Sequence, residues 1–534
     1  MEKILKNFVF DKNYKKRAIA SAVISIFLSL FSVIGQQIET DGRLKIDFIS
    51  ILLFIAFFII YFVIAFSAYF LFDNMLIKNR LLKFNDYALF FISSGFLFVV
   101  YFIFLLGVYP GILAYDADSQ FLMYEYKMIT EHHPVIHTLL FGYMVDSYSY
   151  MDNYNLGAFA YSVIQIILMA FGFSFVTVYV YKKLKNYIFW ILSILFYAFF
   201  PTILLQVLSA TKDSMFLAFM MVTVVLSLVL IDYSEKFFDN KLLVFLWVIA
   251  FVFMLILRNN CMYASPFLAV GLLIFAKKRR KQTLILLVVA FALFLIYKEM
   301  VVPSIVYKKV DSREKLSVPV QQLDRIYNSE DGDLTVEEEI IIENLLDDGI
   351  YFYYPRISDY PKAFMDIDYY NENKSGIHKA YLKIISKNPK IAVESFLENT
   401  LGFWYPYSTL ALYPDGKGGY WPVKCWEPWF FESKIPFILN YLEIFGESNF
   451  IKNNDLAKTF LYPGSFFYLF AIMFGYAIYK KKTSYNVVFL YTFMLLGTYF
   501  LGPVALVRYA IYLYAFVPLY FALVSKAKSK NTEL

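Results

Sequence analysis

The stretch FISILLFIAFFIIYFVIAFSAYFLF (48–72) contains no charged residue from end to end. As a helix rising about 1.5 Å per residue, it is long enough to cross roughly 30 Å of hydrocarbon, and a helix in lipid satisfies its own backbone hydrogen bonds. Comparable apolar runs recur near 18–36, 47–73, 88–107, 156–180, 187–206, 214–232, 242–257, 262–276, 283–302, 463–479, 486–504 and 507–525. The fold class read from them is an all-α polytopic membrane protein of about 12 transmembrane helices. Composition agrees: 60% of the 534 residues are apolar and 21% aromatic, with a mean hydropathy of +0.56. That excludes a string of soluble domains.

Orientation is read from basic residues. With the N-terminus inside, KNYKKR (12–17), LIKNRLLK (76–83), KKLK (182–185), KKRRK (277–281), KKK (480–482) and KAKSK (526–530) all fall on one side. The positive-inside rule makes that side cytoplasmic, with both termini there. The net charge of +6 is thus a topology signal and does not point to nucleic acid. No small-residue cleavage site follows the basic start, so the first span is read as an uncleaved anchor.

Three blocks follow: a nine-span membrane unit (1–302), a polar insertion (303–462) and three closing spans (463–534). The insertion is too long for a loop and is expected to be a mostly helical extracytoplasmic domain. In TVEEEIIIENLLDD (335–348), Thr335 and Glu338 have capping-box spacing. A helical stretch over 378–404 is expected to break near Pro389, and an aromatic, turn-rich stretch (404–431) follows it. Cys261 and Cys425 fall on the outer side without zinc-ligand spacing. They can pair only if the fold brings them together, and separate buried thiols are the favoured reading.

Against this apolar background, VYPGILAYDADSQ (108–120) and EHHPVIHT (131–138) gather Asp116, Asp118, His133 and His137 in one outer loop. SATKDS (209–214) adds Lys212 and Asp213, LRNN (257–260) adds Arg258, and VRY (507–509) adds Arg508 at the same end of the spans. Charges at membrane depth are costly unless paired or functional. Each residue also has a structural reading, as solvated carboxylate, helix cap, packed histidine or snorkelling anchor; their convergence is the more informative fact. A carboxylate can take a proton from a hydroxyl, Arg and Lys can hold a phosphate, and histidine can orient either or bind metal. Together they suit transfer from a membrane-embedded phosphate ester to an acceptor hydroxyl.

These residues resemble the GT-C superfamily of integral-membrane glycosyltransferases, and most closely a group of Gram-positive membrane proteins related to it. YDADSQ resembles the acidic first outer loop, and His133-Pro134 the His-Pro motif; SATKDS, LRNN and VRY look like segments of the closer group. Two departures stand out: Asp-Ala-Asp replaces an adjacent Asp-Glu, and two spans precede the acidic loop. The resemblance implies a GT-C-like fold and transfer of a sugar from a polyprenyl-phosphate carrier to a cell-envelope glycan or glycopolymer acceptor outside the membrane. In it Asp116 is the general base and Asp118 assists or binds metal. Lys212, Arg258 and Arg508 grip the donor phosphate, while His133 orients a group or, with His137, ligates metal. A divalent cation such as Mg²⁺ or Mn²⁺ is a candidate cofactor. Trp404 and Trp421, in the tryptophan-rich part of the insertion, are candidate acceptor platforms, although tryptophan also belts membrane interfaces. Competing readings are a polysaccharide polymerase or ligase using lipid-linked oligosaccharide, and a non-enzymatic transporter or flippase of lipid-linked glycan.

Overall fold

A computed structural model gives the fold and describes residues 13–151, 153–309, 312–347, 353–409, 421–446 and 453–527. The basic start before residue 13 and the end of KAKSK (528–530) lie outside the described residues.

The first half runs α1 (Tyr14–Asp41), α2 (Phe48–Asn74), α3 (Asp86–Gly107), α4 (Ala117–Glu125), α5 (Val135–Asp146), α6 (Tyr154–Leu184), α7 (Tyr187–Phe199) and α8 (Pro201–Leu208). It continues with α9 (Lys212–Asp232), α10 (Lys241–Leu257), α11 (Cys261–Phe275) and α12 (Lys277–Ser304). The insertion contributes α13 (Ser317–Tyr327), α14 (Val336–Leu346), α15 (Ile367–Lys387), α16 (Pro389–Trp404) and α17 (Pro436–Phe445). After them come α18 (Asp455–Leu461), α19 (Pro463–Tyr479), α20 (Asn486–Tyr499) and the broken segment α21 (Val507–Val524).

Among the described residues, seven helices are long and apolar enough to cross a membrane, or up to nine if each bent pair counts once. The bent pairs are α7–α8 and α18–α19, turning by 58° and 52°. Each turns at a proline, Pro201 or Pro463, whose ring starts a new helix and cannot continue the old one. The remaining expected spans coincide with three shorter apolar helices, α10, α11 and α20.

Asparagine and aspartate fix where many helices begin. Asp47 accepts from the Ser50 amide at 2.7 Å, and Asn85 and Asn153 cap α3 and α6 in the same way. α2, which holds the uncharged stretch 48–72, buries Ala65, Phe66, Tyr69 and Phe70 and leaves most of its apolar surface bare. A helix greasy on every side is stable in that position only with lipid as its solvent. Inside the bundle, helices approach closely where one is small: a Cβ on Gly172 of α6 would lie 2.9 Å from a backbone oxygen of α9.

α9 is about 31 Å long, and its two ends separate two kinds of surface. At its C-terminus Asp232 takes Lys183 at 3.0 Å and the hydroxyls of Tyr179 and Tyr485. Asp73 joins Arg17, Lys480 and Tyr476; Glu235 and Asp239 meet Lys278 and Arg279. The basic stretches are thus knitted to one another at one end of the bundle.

The insertion divides its packing between two cores. Val320, Leu323, Ile326, Ile342, Leu345, Ile377 and Ile384 form a small core of their own. Thr335 and Glu338 form the expected capping box, and the chain breaks at Pro389 as expected. The aromatic part differs from the expected outer domain: Trp404, Trp421, Trp429, Ile438 and Leu442 belong to the main core. The reason is hydrophobic: bulky rings buried in the main core contribute more than rings left on a polar surface.

Candidate functional site

The site is assembled on a buried extended segment. Beyond α3, residues 111–114 run between two other pieces of chain. Ile112 donates to the Leu208 carbonyl at 3.0 Å and accepts from Ala210 at 2.9 Å. On its other side Leu113 donates to Lys424 and accepts from Trp426. Gly111 has φ +141°, and a Cβ there would sit 2.6 Å from the Ser162 hydroxyl, so the close passage needs glycine. Pairing 112 with 209 brings Asp116 and Lys212, each a few residues further on, to the same place.

A hydrogen-bond chain fixes the geometry. The Gln120 amide donates to the Asp116 carbonyl at 3.2 Å and its oxygen accepts from His137 Nδ1 at 2.6 Å. His137 Nε2 meets the Tyr161 hydroxyl at 2.6 Å. Gln165, within reach of Tyr161, donates to the carbonyls of Val207 and Ser209 at 2.8 Å each. His137 is therefore engaged through both ring nitrogens. A metal shared with His133 would have to break that chain.

The charged residues converge around Asp116. Its Oδ2 lies 3.1 Å from Arg508 Nη1, 3.0 Å from Lys212 Nζ and 3.9 Å from His133 Nδ1. Lys212 donates to His133 Nδ1 at 2.9 Å. Asp213, at the first turn of α9, pairs with Arg258 and approaches Arg508 Nη1 to 3.6 Å. Among the described residues, three cations therefore face two carboxylates. Arg508 Nε is buried without a hydrogen-bond partner among the described residues. Asp116 is the most exposed of the five at 23%, against 13% or less for the others.

Electrostatics follow from burial and neighbours. Burial raises the Asp116 carboxyl, but Arg508 and Lys212 together outweigh it and hold the group well below the usual carboxylate range. Burial, reinforced by Lys212, pushes His133 down to about 2, so its ring is neutral and accepts from the ammonium.

Aromatic rings fix the guanidinium groups. Arg508 lies 4.2 Å from the Tyr115 ring centre and 5.0 Å from Tyr509; Arg258 lies 4.7 Å from Tyr509. Tyr115 itself has φ +61°, a strained conformation for a residue with a Cβ. Sequence reasoning missed both tyrosines, although each adjoins a selected charge, in YD and RY. It also missed Gln120, Tyr161 and Gln165.

Of the residues selected from the sequence, Asp116, Lys212, Arg258, Arg508 and His133 meet in one cluster. Asp118 sits half-buried at the first turn of α4, two residues from Asp116. Trp404 and Trp421 require correction as acceptor platforms. They are 1% and 0% exposed, and Trp421 spends its indole N–H on Ser209 while its ring meets the Tyr115 edge. Neither offers a free face; Trp421 buttresses the site from within. Cys261 and Cys425 are separate thiols, Cys261 beside Tyr491 and Cys425 beside the Gly111 carbonyl. Among the described residues no three or more His, Cys, Asp or Glu side chains form a metal-holding group.

No curated protein and no solved structure matches the chain. One family, described as "Family of unknown function (DUF6020)", matches residues 122–533. That range takes in His133, Lys212, Arg258 and Arg508 and begins just beyond Asp116 and Asp118. Because the match runs from within α4 to beyond the end of α21, well over half of the sequence, the protein belongs to the DUF6020 family.

Proposed function

We propose that the protein is a membrane glycosyltransferase of the GT-C kind, moving a sugar from a polyprenyl-phosphate carrier to a cell-envelope acceptor outside the membrane. The observation that carries this reading is the sharing of Asp116 Oδ2 between Arg508 and Lys212, in a cluster where three cations face two carboxylates. Surplus buried positive charge suits a phosphate diester bringing one negative charge. Asp116, the most exposed member, is the general base for the acceptor hydroxyl. Lys212, Arg258 and Arg508 hold the carrier phosphate and stabilise it as it leaves. His133, neutral and bound to Lys212, orients that ammonium.

On this reading the chain crosses about 12 times, with α10, α11 and α20 serving as spans. At 14 to 17 residues they reach about 21–26 Å, a shortfall that local thinning accommodates. The end carrying the knitted basic loops faces the cytoplasm, supported by the positive-inside rule. The Asp116 end and the helical insertion then lie outside.

The test is transfer by the reconstituted protein from a defined polyprenyl-phosphate-linked sugar. Asp116→Asn should abolish formation of the new glycosidic bond while the protein remains folded; wild-type activity in that variant removes the base. Accumulation of sugar in sealed vesicles without a new bond indicates a transporter. Products that lengthen from lipid-linked oligosaccharide indicate a polymerase or ligase using the same chemistry.

A further inference from the structure

We propose that Asp116 is a built-in anion: it occupies the cation pair while the site is empty, the donor phosphate displaces it, and the freed carboxylate then takes the acceptor proton. This rests on the reading of the cluster as a sugar-transfer site and adds how that site is switched on.

Carboxylate and phosphate would share the same partners. Arg508 and Lys212, which hold Asp116 Oδ2 at 3.1 and 3.0 Å, are also the donors a phosphate would use. In the empty site the carboxylate is held well below its usual range by those two charges, against the opposing effect of burial, and is a poor base. A base works best with a proton affinity near the operating pH. A phosphate that draws the two cations away removes what depresses it. Binding and activation become one event.

Of the clustered groups, Asp116 is the least tightly enclosed. Arg508 is flanked by the rings of Tyr115 and Tyr509, and Arg258 is paired with Asp213. Lys212 is held through His133. Asp116 has the most exposed side chain of the cluster, so an arriving ligand meets it first. Arg508 Nε, which has no hydrogen-bond partner among the described residues, supplies a further donor for the incoming anion.

Charge balances through the reaction. In the transfer step the acceptor oxygen bonds to the sugar anomeric carbon and its proton goes to Asp116. The bond from that carbon to the phosphate oxygen breaks with its electron pair on the phosphate. The phosphate diester becomes a monoester and gains one negative charge, while Asp116 loses one. The total charge around the three cations is therefore the same before and after the step, the phosphate they hold taking up the charge that Asp116 gives up.

The experiment measures binding of dodecyl phosphate, in maltoside micelles, to the purified full-length protein by calorimetry. Removing the internal competitor should tighten binding: Asp116→Asn is expected to bind at least about fivefold more tightly than wild type. Equal or weaker binding by the variant overturns the proposal and, provided wild type binds the probe and transfers sugar, leaves the glycosyltransferase reading standing. If neither protein binds, the phosphate site itself is wrong and both readings fall. Should Asp116→Asn not fold, carbodiimide labelling of Asp116 in the wild-type protein, read by mass spectrometry, replaces it. Labelling is expected to rise with saturating dodecyl phosphate, and unchanged or reduced labelling overturns the proposal.

Discussion

Around Arg325, one guanidinium and the Lys390 ammonium, 3.8 Å from Glu394, meet two carboxylates. Glu398 and Glu394 pair with Arg325, Tyr353 donates to Glu398 at 2.8 Å, and the Gly42 carbonyl accepts from the same arginine. Glu394 also accepts from the Leu44 amide at 2.6 Å. Around Asp116 the described residues place three cations against two carboxylates and leave an arginine nitrogen over. Both clusters are buried and both join distant parts of the chain. The Arg325 cluster clamps α13 and α16 of the insertion to the loop between α1 and α2, and its donors are spent inside the protein. The Asp116 cluster has one unspent donor, Arg508 Nε, and surplus positive charge among the described residues, which is costly in a buried place unless something else completes it. The Arg325 cluster balances its charges within the protein, whereas the Asp116 cluster is left one partner short.

The contrast breaks most readily at the level of rate. Arg508→Gln should lower sugar transfer by about 10²–10³-fold, the loss expected when one donor to a developing negative charge is removed. Arg325→Met should leave the rate per folded molecule unchanged. Single-turnover transfer in liposomes compares them, and equal losses would erase the distinction.

Stability should show the reverse order. Arg325→Met leaves Glu394 to Lys390 and the Leu44 amide and Glu398 to Tyr353 alone, and removing one member of a buried pair costs about 3–5 kcal/mol. The unfolding midpoint in detergent, or protease sensitivity of 317–404, reads it.

Acid sharpens the comparison further. Burial holds His133 down to about 2 and His137 down to about 3, far below an unfolded histidine. Their contribution is present above about pH 6.5 and is lost as pH falls below it, because the unfolded chain takes up the protons first. At pH 5 each should have cost about 2 kcal/mol. The unfolding midpoint should fall between pH 6.5 and 5, and His137→Gln should flatten that slope. The smallest effect expected is Gly42→Ala. Gly42 has φ +64°, with ordinary contact distances around an added Cβ, so only conformational strain of about 1–2 kcal/mol is added.

Much of the charged cluster was legible in the sequence because helices of membrane length impose a strict up-down order. Lys212 and Arg258 adjoin the same ends of α9 and α10, and Arg508 begins α21. Once Asp116 falls in the loop after α3, all four must share one end. The tyrosines that fix the arginines were not legible, since they are two among 46. Nor was the Gln120–His137–Tyr161–Gln165 chain, whose members lie on three elements. His133 and His137 look alike in sequence at helical spacing, yet one meets Lys212 and the other is consumed in positioning the loop. The tryptophans misled because an aromatic run between polar segments reads equally as surface platform or as core.

What the sequence determined by itself is the all-α class, the helix ends set by proline and asparagine, and the separation of basic loops from the acidic one. These are local or one-dimensional properties, fixed by backbone hydrogen bonding and by the length of apolar runs. Only the tertiary structure decided that 111–114 is threaded between 208–210 and 424–426, that the aromatic half of the insertion joins the main core, and that Asp116 lies between Lys212 and Arg508. Those outcomes depend on which distant segments find each other's open hydrogen-bonding edges and apolar faces, and pattern along a single chain does not encode that choice in any one place.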